Sequence, residues 1–221
     1  MNTEIKSSWK KNAEEWIKAI QNETIESRQF TNKAILNTIK NSSCDDVVDI
    51  GCGEGWLSRA LKQINISATG IDSNHRLIGE AKKHDASNYF VLSFEDIIEG
   101  KPLPNAPFEA AIFNFCIYFK LELKPLLKQT LNSVTRNGFV LIQTVHPFFL
   151  IQNKLDYKSQ WIHDSWKGLP GEFKDGHSWY ARTFEDWFGV LSSLSNTELS
   201  VQEVLNDEQI PVSVIFKIKK L

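Results

Sequence analysis

The residues best suited to chemistry are two aspartates and a run of glycines in the first third of the chain. Asp49 lies in an apolar run that ends in a GxGxG turn beginning at Gly51. Glycine lets the chain turn through positive φ and lets a ligand approach the backbone closely. Asp72 follows a second apolar run 21 residues after Gly51, close to the offset of roughly 20 residues at which an acid binds ribose hydroxyls. The spacing predicts a site for a small, polar ligand.

The charge of Asp49 restricts the chemistry of that ligand. The turn lacks the GxGxxG spacing of dinucleotide-binding turns, and no Lys-Ser or Lys-Thr pair follows it, so a phosphate loop is absent. A pyrophosphate beside Asp49 would face a like charge, whereas a cationic nucleoside would be attracted. An NAD-dependent reductase is therefore the disfavoured alternative.

The sequence VVDIGCGEG, together with GIDSN downstream, resembles motif I and the acidic tip of the second strand in class I S-adenosylmethionine-dependent methyltransferases. The resemblance covers most of the chain, from about residue 41 to the C-terminus. It implies S-adenosylmethionine as the cofactor. It also implies an α/β fold, a Rossmann-like sheet of seven mostly parallel strands with helices on both faces and a last strand that is antiparallel. It does not identify the methyl acceptor.

The same resemblance assigns parts of the cofactor to segments of this chain. Asp49 and the glycine turn would hold the methionine portion, and Asp72 the ribose hydroxyls. After the third strand, Phe94 would cover the adenine face, while one of Ser93, Glu95 and Asp96 would meet its amine. The predicted cofactor-binding residues are Arg28, Asp49, Gly51, Cys52, Gly53, Asp72, Ser73, Ser93, Phe94, Glu95, Asn114 and Phe115.

Apolar strands alternate with helical patterns over residues 41–145, the predicted cofactor-binding core, which indicates a parallel sheet covered on both faces. In such sheets ligands collect beyond the carboxyl ends of the strands. Two polar residues at those ends, Asn114 and His146, are candidates for catalysis. Asn114 either faces the site or bonds a neighbouring turn. His146 is either a base that titrates near neutral pH or a residue that fixes the turn before Pro147.

Two further regions are expected to close the site. Helices within residues 1–40 form a cover, in which Trp16 either touches the ligand or only packs, and Arg28 either pairs with the methionine carboxylate or is solvated. In residues 146–182 the alternation stops, and this aromatic-rich insertion is either a lid with an acceptor pocket or a satellite core. The predicted acceptor-pocket residues are Trp16, His146, Tyr157, Trp161, His177 and Trp179. Residues 183–221 are predicted to form a helix and an antiparallel strand pair.

Length and composition limit the remaining possibilities. A chain of 221 residues with 42% hydrophobic residues predicts one domain, a monomer or homodimer. The net charge of −2 makes nucleic acid an unlikely partner. An N-terminus without an apolar core and three cysteines without CxxC spacing predict a cytoplasmic protein with no membrane segment. The histidines lack zinc-type spacing, so no metal is expected.

Taken together, the sequence predicts a methyltransferase that uses S-adenosylmethionine and acts on a small molecule. Two alternatives stay open at this point. One is a protein that binds the cofactor without catalysis, and the other is an RNA or tRNA methyltransferase.

Overall fold

The computed structural model describes residues 3–86 and 88–221 and is built around a seven-stranded sheet. The strands in chain order are β1 (Asp46–Ile50), β2 (Ser67–Asp72), β3 (Tyr89–Val91), β4 (Phe108–Asn114), β5 (Val134–Val145), β6 (Gln160–Ile162), β7 (Trp179–Ala181), β8 (Thr197–Leu205) and β9 (Pro211–Lys220). The large sheet has the order β3-β2-β1-β4-β5-β9-β8. Strands β1 to β5 pair in parallel, and β9 is antiparallel to both of its neighbours. The predicted sheet, with its last strand reversed, is confirmed.

Side chains of the central strands alternate between two apolar layers. On β4, Ala110 and Ile112 face one layer, whereas Ala111 and Phe113 face the other, and all four are fully buried. Such alternation follows from the pleat, because successive side chains of a strand point to opposite faces of the sheet. Both faces are therefore covered, which explains why β4 is apolar along almost its whole length.

Helices supply the covering layers. They are α1 (Thr3–Gln21), α2 (Arg28–Lys40), α3 (Trp56–Gln63), α4 (His75–Ala81), α5 (Phe94–Ile98), α6 (Leu123–Asn132), α7 (Phe148–Gln152) and α8 (Phe184–Leu191). Apolar residues of α2 and α3 pack in one layer, and those of α5, α6 and α8 pack in the other. This arrangement leaves the carboxyl ends of β1, β2, β4 and β5 at one edge of the sheet, where α1 lies.

The insertion between β5 and α8 packs directly on α1. The Trp166 indole N–H donates to Ser8 Oγ at 2.8 Å, and Asn12 exchanges two hydrogen bonds with the backbone of Lys174. Ring contacts join the two segments into what we call the aromatic cover, defined by Trp9, Trp16, Trp166 and Phe173. Helix α1 and the predicted insertion therefore form one packed unit above the strand ends, whereas α2 packs with α3 on a face of the sheet.

Local details differ from the sequence-based expectation. The cap of α4 is Asn74 rather than the preceding Ser73, because the Asn74 side chain accepts two backbone N–H bonds. Strands β6 and β7, an antiparallel ribbon within the insertion, were not predicted because each is only three residues long. Within residues 3–86 and 88–221, no helix is both long and apolar enough to cross a membrane.

Candidate functional site

The glycine turn after β1 is tight and internally bonded. Gly51 and Gly53 have φ values of +79° and +58°, and a Cβ on Gly51 would lie 2.7 Å from the Cβ of Cys116. The N–H groups of Gly51 and Cys52 donate to the Ile71 carbonyl at 2.8 and 3.0 Å. The N–H of Gly53 donates to Asp72 Oδ2 at 3.0 Å. These three donors are therefore used within the chain and do not form a cradle for phosphate.

Cys52 is positioned by packing rather than by the site. It is only 4% exposed and packs against Ile78, Ala81 and Tyr89. Burial raises the pKa of its thiol well above the ordinary value. Cys52 therefore contributes its backbone to the turn, while its side chain belongs to the core.

Three carboxylates lie around the turn. Asp49 and Glu54 are 1% and 2% exposed, and Asp72 is half-buried at the tip of β2. Asp49 Oδ2 has no hydrogen-bond partner in the described part of the chain. Burial, reinforced by the charges of Glu54 and Asp72, raises the pKa of Asp49 to about 8. The cluster therefore lacks a positive partner for Asp49, which fits the electrostatic argument made from the sequence.

Asp72 has structural contacts that the sequence did not reveal. Its carboxylate accepts the N–H of Gly53 at 3.0 Å and the N–H of Asn74 at 2.7 Å. Burial raises the pKa of Asp72, although these backbone hydrogen bonds oppose the rise. The Asp72 carboxylate thus joins the glycine turn after β1 to the chain that follows β2. Ser73 lies between Asp72 and Asn74 in the sequence.

The guanidinium of Arg28 lies near Glu54, whose charge acts on it. Arg28 stacks over Trp56 at 4.6 Å and lies 6.0 Å from the centroid of Trp16. Its buried Nη2 finds no hydrogen-bond partner among residues 3–86 and 88–221. Burial lowers the pKa of Arg28 to about 10, opposed by the charge of Glu54. Arg28 is thus a partly desolvated cation that could receive a carboxylate.

Glu54, which sequence reasoning missed, connects this cation to the cover. The Trp16 indole N–H donates to Glu54 Oε2 at 3.1 Å, and Arg59 Nη2 lies 3.5 Å from Oε1. The Trp16 nitrogen also lies 3.6 Å from the position that a Cβ on Gly53 would take. Trp16 therefore sits over the turn. The sequence did contain a signal for Glu54, because an acid inside a GxGxG turn needs a hydrogen-bond donor or a cation beside it.

The segment after β3 fits the expected adenine side only in part. Ser93 and Asp96 form a capping box, in which Ser93 Oγ donates to Asp96 Oδ2 at 2.7 Å. Glu95 pairs with Lys6 of α1 at 2.9 Å. The polar groups of Ser93 and Asp96 therefore serve the helix cap, which corrects their expected role as partners of an amine. Phe94 has the expected position, with its ring 3.4 Å from a Cβ built on Gly51.

The end of β4 places polar groups beside the turn. Asn114 Oδ1 is buried and has no partner in the described chain. Phe115 adopts a positive φ of 51°, and its N–H donates to the Gln143 carbonyl at 2.9 Å. Tyr118, a residue with no signal in the sequence, donates its hydroxyl to the Phe115 carbonyl at 2.6 Å. An unpaired amide oxygen at this position favours the interpretation in which Asn114 faces the site over the one in which it bonds a neighbouring turn.

His146 is not available as a base. Its Nδ1 accepts the N–H of Phe148 at 3.0 Å, which fixes the proton on Nε2, and Nε2 contacts Glu203 Oε1 at 2.8 Å. The ring is 5% exposed and also packs edge-on against Phe184. The structure therefore corrects the expected catalytic role of His146: the imidazole ties β5 to β8 and fixes the turn at Pro147.

His177 has the free nitrogen that His146 lacks. The ring is 0% exposed and lies edge-on against Tyr118 at 4.6 Å. Nδ1 lies 3.0 Å from the Ser178 carbonyl and must carry the proton, because a carbonyl only accepts. Nε2 is buried without a partner in the residues that the structure describes. Burial lowers the pKa of His177, which keeps the ring neutral.

The remaining acceptor-pocket candidates divide by exposure. Trp179 is half-buried and packs against Phe149 with ring centroids 5.4 Å apart. Tyr157 and Trp161 are 50% and 44% exposed on the outer side of the insertion. The roles of Tyr157 and Trp161 in an acceptor pocket therefore stay predictions, for two rings that are about half exposed.

Comparisons with known proteins agree with this geometry. A family model described as a methyltransferase domain matches residues 9–191. A malonyl-[acyl-carrier protein] O-methyltransferase of Serratia marcescens is 23% identical over 128 residues, which are 58% of this chain and 46% of that protein. This chain spans less than half the length of the curated relatives it matches.

Solved structures share the fold at lower identity. The DhpI-SAM-HEP complex superposes with a TM-score of 0.69 at 17% identity and covers 97% of this chain and 95% of that one. The plantazolicin methyltransferase BamL, in complex with a triazolic desmethylPZN analog and SAH, gives a TM-score of 0.64 at 16% identity and covers 92% and 88%. With a family model that spans most of its length, and with this fold and strand-end site, the chain belongs to the methyltransferase domain family.

Proposed function

We propose that this protein binds S-adenosylmethionine and transfers its methyl group to a small-molecule acceptor. The single observation that carries the proposal is the buried Asp49 carboxylate, which lacks a hydrogen bond on Oδ2 beside a turn whose Gly51, Cys52 and Gly53 N–H groups already have acceptors. A site of this kind disfavours a pyrophosphate and favours a ligand with positive charge. The structures of DhpI, named with SAM, and BamL, named with SAH, support the same cofactor.

The described residues fit the zwitterionic amino-acid end of that cofactor. Asp49 needs a cation, whereas Arg28 Nη2 needs an anion, and the charge of Glu54 acts on both groups. An ammonium and a carboxylate on one carbon would satisfy both ends. Asp72 has one carboxylate that is already braced by backbone N–H groups and can still accept from ribose hydroxyls. Phe94 supplies an apolar surface for the base.

The cofactor, when bound, supplies a methyl group on a sulfonium that is a good leaving group. The chain must therefore orient the acceptor, exclude water and, where the acceptor carries a proton, hold that proton. The aromatic cover, in which Trp9, Trp16 and Trp166 contact one another, excludes water above the turn. His177 Nε2 and Asn114 Oδ1 are the buried acceptors of hydrogen bonds that remain free to meet an incoming hydroxyl or amine.

A small acceptor is supported by the closed geometry and by the charge of the chain. The aromatic cover reaches the glycine turn, where the Trp16 indole N–H donates to Glu54 Oε2 at 3.1 Å, and the net charge of −2 gives little attraction for nucleic acid. Relatives named as malonyl-[acyl-carrier protein] and ubiquinone biosynthesis O-methyltransferases point to an oxygen acceptor. The competing RNA methyltransferase would require RNA binding that falls steeply with salt.

The test is a cofactor titration followed by an acceptor screen. Calorimetry with S-adenosylmethionine, S-adenosylhomocysteine and NADH is expected to detect binding of the first two only. S-adenosylhomocysteine release is then measured across alcohols, phenols, carboxylic acids and phosphonates. Binding of NADH alone would refute the proposal. Binding of S-adenosylmethionine without release from any acceptor would favour the non-catalytic alternative.

A further inference from the structure

Arg182, which the sequence did not single out, is a buried cation with unused donors. Its side chain is almost fully buried, and Nη2 donates to the Lys120 carbonyl at 2.7 Å. Nε lies 3.5 Å from Asp186 Oδ2 but does not form a hydrogen bond with it. Neither Nε nor Nη1 has a hydrogen-bond partner in residues 3–86 and 88–221. A buried guanidinium left in this state is unfavourable, because each unpaired donor keeps its desolvation cost.

A second cation and two acids lie around Arg182, so its unused N–H groups rather than a net charge define the partner it can bind. Its guanidinium and the Lys120 ammonium both lie over the Tyr180 ring, at 4.9 and 5.1 Å from the centroid. Two acids, Asp186 and Glu122, oppose these cations, but neither forms a hydrogen bond with the guanidinium. The unused N–H groups therefore point to a partner that brings its own negative charge and more than one oxygen.

The position of Arg182 is that of an acceptor-binding residue. It lines a cavity of about 10 Å³ together with Thr144 and His146 at the end of β5 and with Trp179 of β7. Strand β4 separates β5 from β1 in the sheet. With neighbouring strands about 4.8 Å apart, the ends of β5 and β1 lie on the order of 10 Å apart within the sheet. A small acceptor can span that distance.

We propose that Arg182 binds an anionic oxygen group of the methyl acceptor, a carboxylate or a phosphoryl group, and so makes the enzyme specific for acidic small molecules. The inference rests on the proposed function and names its substrate class. A guanidinium with unused N–H groups on Nε and Nη1 can donate charge-assisted hydrogen bonds to the oxygens of such a group. In the closed form the cavity has room for one water molecule, so the half-buried Phe149 and Trp179 must move apart to admit the group.

A direct binding test uses the Arg182 Nε–H signal of the ¹⁵N-labelled protein, assigned by its loss in Arg182→Lys. Acetate, methylphosphonate and neutral acetamide are titrated with and without S-adenosylhomocysteine. We expect the signal to shift with acetate or methylphosphonate and to stay unchanged with acetamide. A signal that no anion moves would overturn the proposal and leave the cavity as the site of an internal water only.

A kinetic test uses the same distinction. Carboxylic acids and alkyl phosphonates are compared with their amides as acceptors, by release of S-adenosylhomocysteine. Arg182→Met is expected to raise KM for the acidic acceptors about tenfold or more, while Arg182→Lys raises it less. The Kd for S-adenosylmethionine should stay within about twofold. The matched control Arg136→Met removes an exposed arginine and should change neither value.

These outcomes separate this inference from the function on which it depends. Failure of the wild-type protein to bind S-adenosylmethionine would refute the proposed function, whatever the anions do. Binding of S-adenosylmethionine together with equal turnover of acids and amides, unaffected by Arg182→Met, would refute only the role of Arg182. Melting temperatures of both variants show whether a loss comes from unfolding, and the titration itself is made on the wild-type protein, with Arg182→Lys used only to assign the signal.

Discussion

The pH dependence of cofactor affinity follows from the state of Asp49. Burial raises the pKa of this carboxyl to about 8 in the free protein, so below that pH it is mostly protonated. A cationic ligand favours the carboxylate, and binding must therefore release a proton. One proton released corresponds to at most a tenfold change in affinity per pH unit, or about 1.4 kcal/mol. Between pH 5.5 and 7, affinity should rise up to about 30-fold.

The assay is calorimetry at pH 5.5, 6.25 and 7.0 in pairs of buffers with different heats of ionisation. Below pH 7 an amino group with a pKa near 7.7 stays mostly protonated, so the ligand itself contributes little to the slope. Asp49→Asn should bind more weakly at pH 7 and show no slope. The control Asp45→Asn removes an exposed carboxylate at the other end of β1 and should keep the slope.

The same carboxyl makes a prediction for the stability of the free protein. Its pKa is raised on folding, so the unfolded chain ionises first, at about pH 4. The contribution of Asp49 to the free energy of unfolding is therefore fully present below about pH 4. It is lost as pH rises toward about 8, by at most about 1.4 kcal/mol per pH unit. Urea unfolding of Asp49→Asn should lack this loss. Affinity and stability that are both independent of pH in the wild type would refute the acid-cluster argument.

Three further substitutions test the contacts and backbone conformations that stabilise the site. Asp72→Ala should weaken cofactor binding and also lower stability by about 1–3 kcal/mol, because two backbone N–H groups lose their acceptor; urea midpoints unchanged by the substitution would contradict this. Gly51→Ala should lower stability by about 2 kcal/mol or more because of its positive φ and its close neighbour, whereas Gly189→Ala, in open space on a helix, should raise it by up to about 1 kcal/mol. His146→Ala should lower the melting temperature by removing the contact with Glu203 while kcat stays within about threefold; a loss of about 100-fold in kcat at an unchanged melting temperature would restore its role as a base.

The sequence predicted those parts of the site that depend on local patterns. An apolar run, a glycine turn and a helical repeat follow one another around Gly51, so local spacing was enough to place Asp49 at the end of β1. Asp72 was found by its offset from the turn. The parallel pairing of the first strands followed from the alternation of strands and helices, because parallel neighbours need crossover helices, whereas the order of the strands came only from the structure.

The features of the site that the sequence did not reveal depend on contacts between segments that are distant in the chain. His146 pairs with Glu203, 57 residues away in the chain, and nothing near either residue indicates that contact. The exposure of Tyr157 and Trp161 follows from how the insertion folds on α1, and an aromatic-rich composition does not show which rings turn inward. Arg182 was overlooked because a lone arginine in a loop is usually solvated, and only its burial reveals unused donors.

The incomplete pairing around Glu54 indicates what the site is arranged to hold. Glu54 could neutralise Arg28 directly, but its oxygens meet Trp16 and Arg59 instead, so the Arg28 Nη2 donor stays unpaired. Asp49 has the opposite need, and the charge of Glu54 acts on it as well. Leaving an acid and a cation unpaired costs stability unless one ligand satisfies both. A pyrophosphate would satisfy only the cation and would repel the acid. A zwitterion satisfies both, which is why the amino-acid end of the cofactor accounts for the two unpaired groups together.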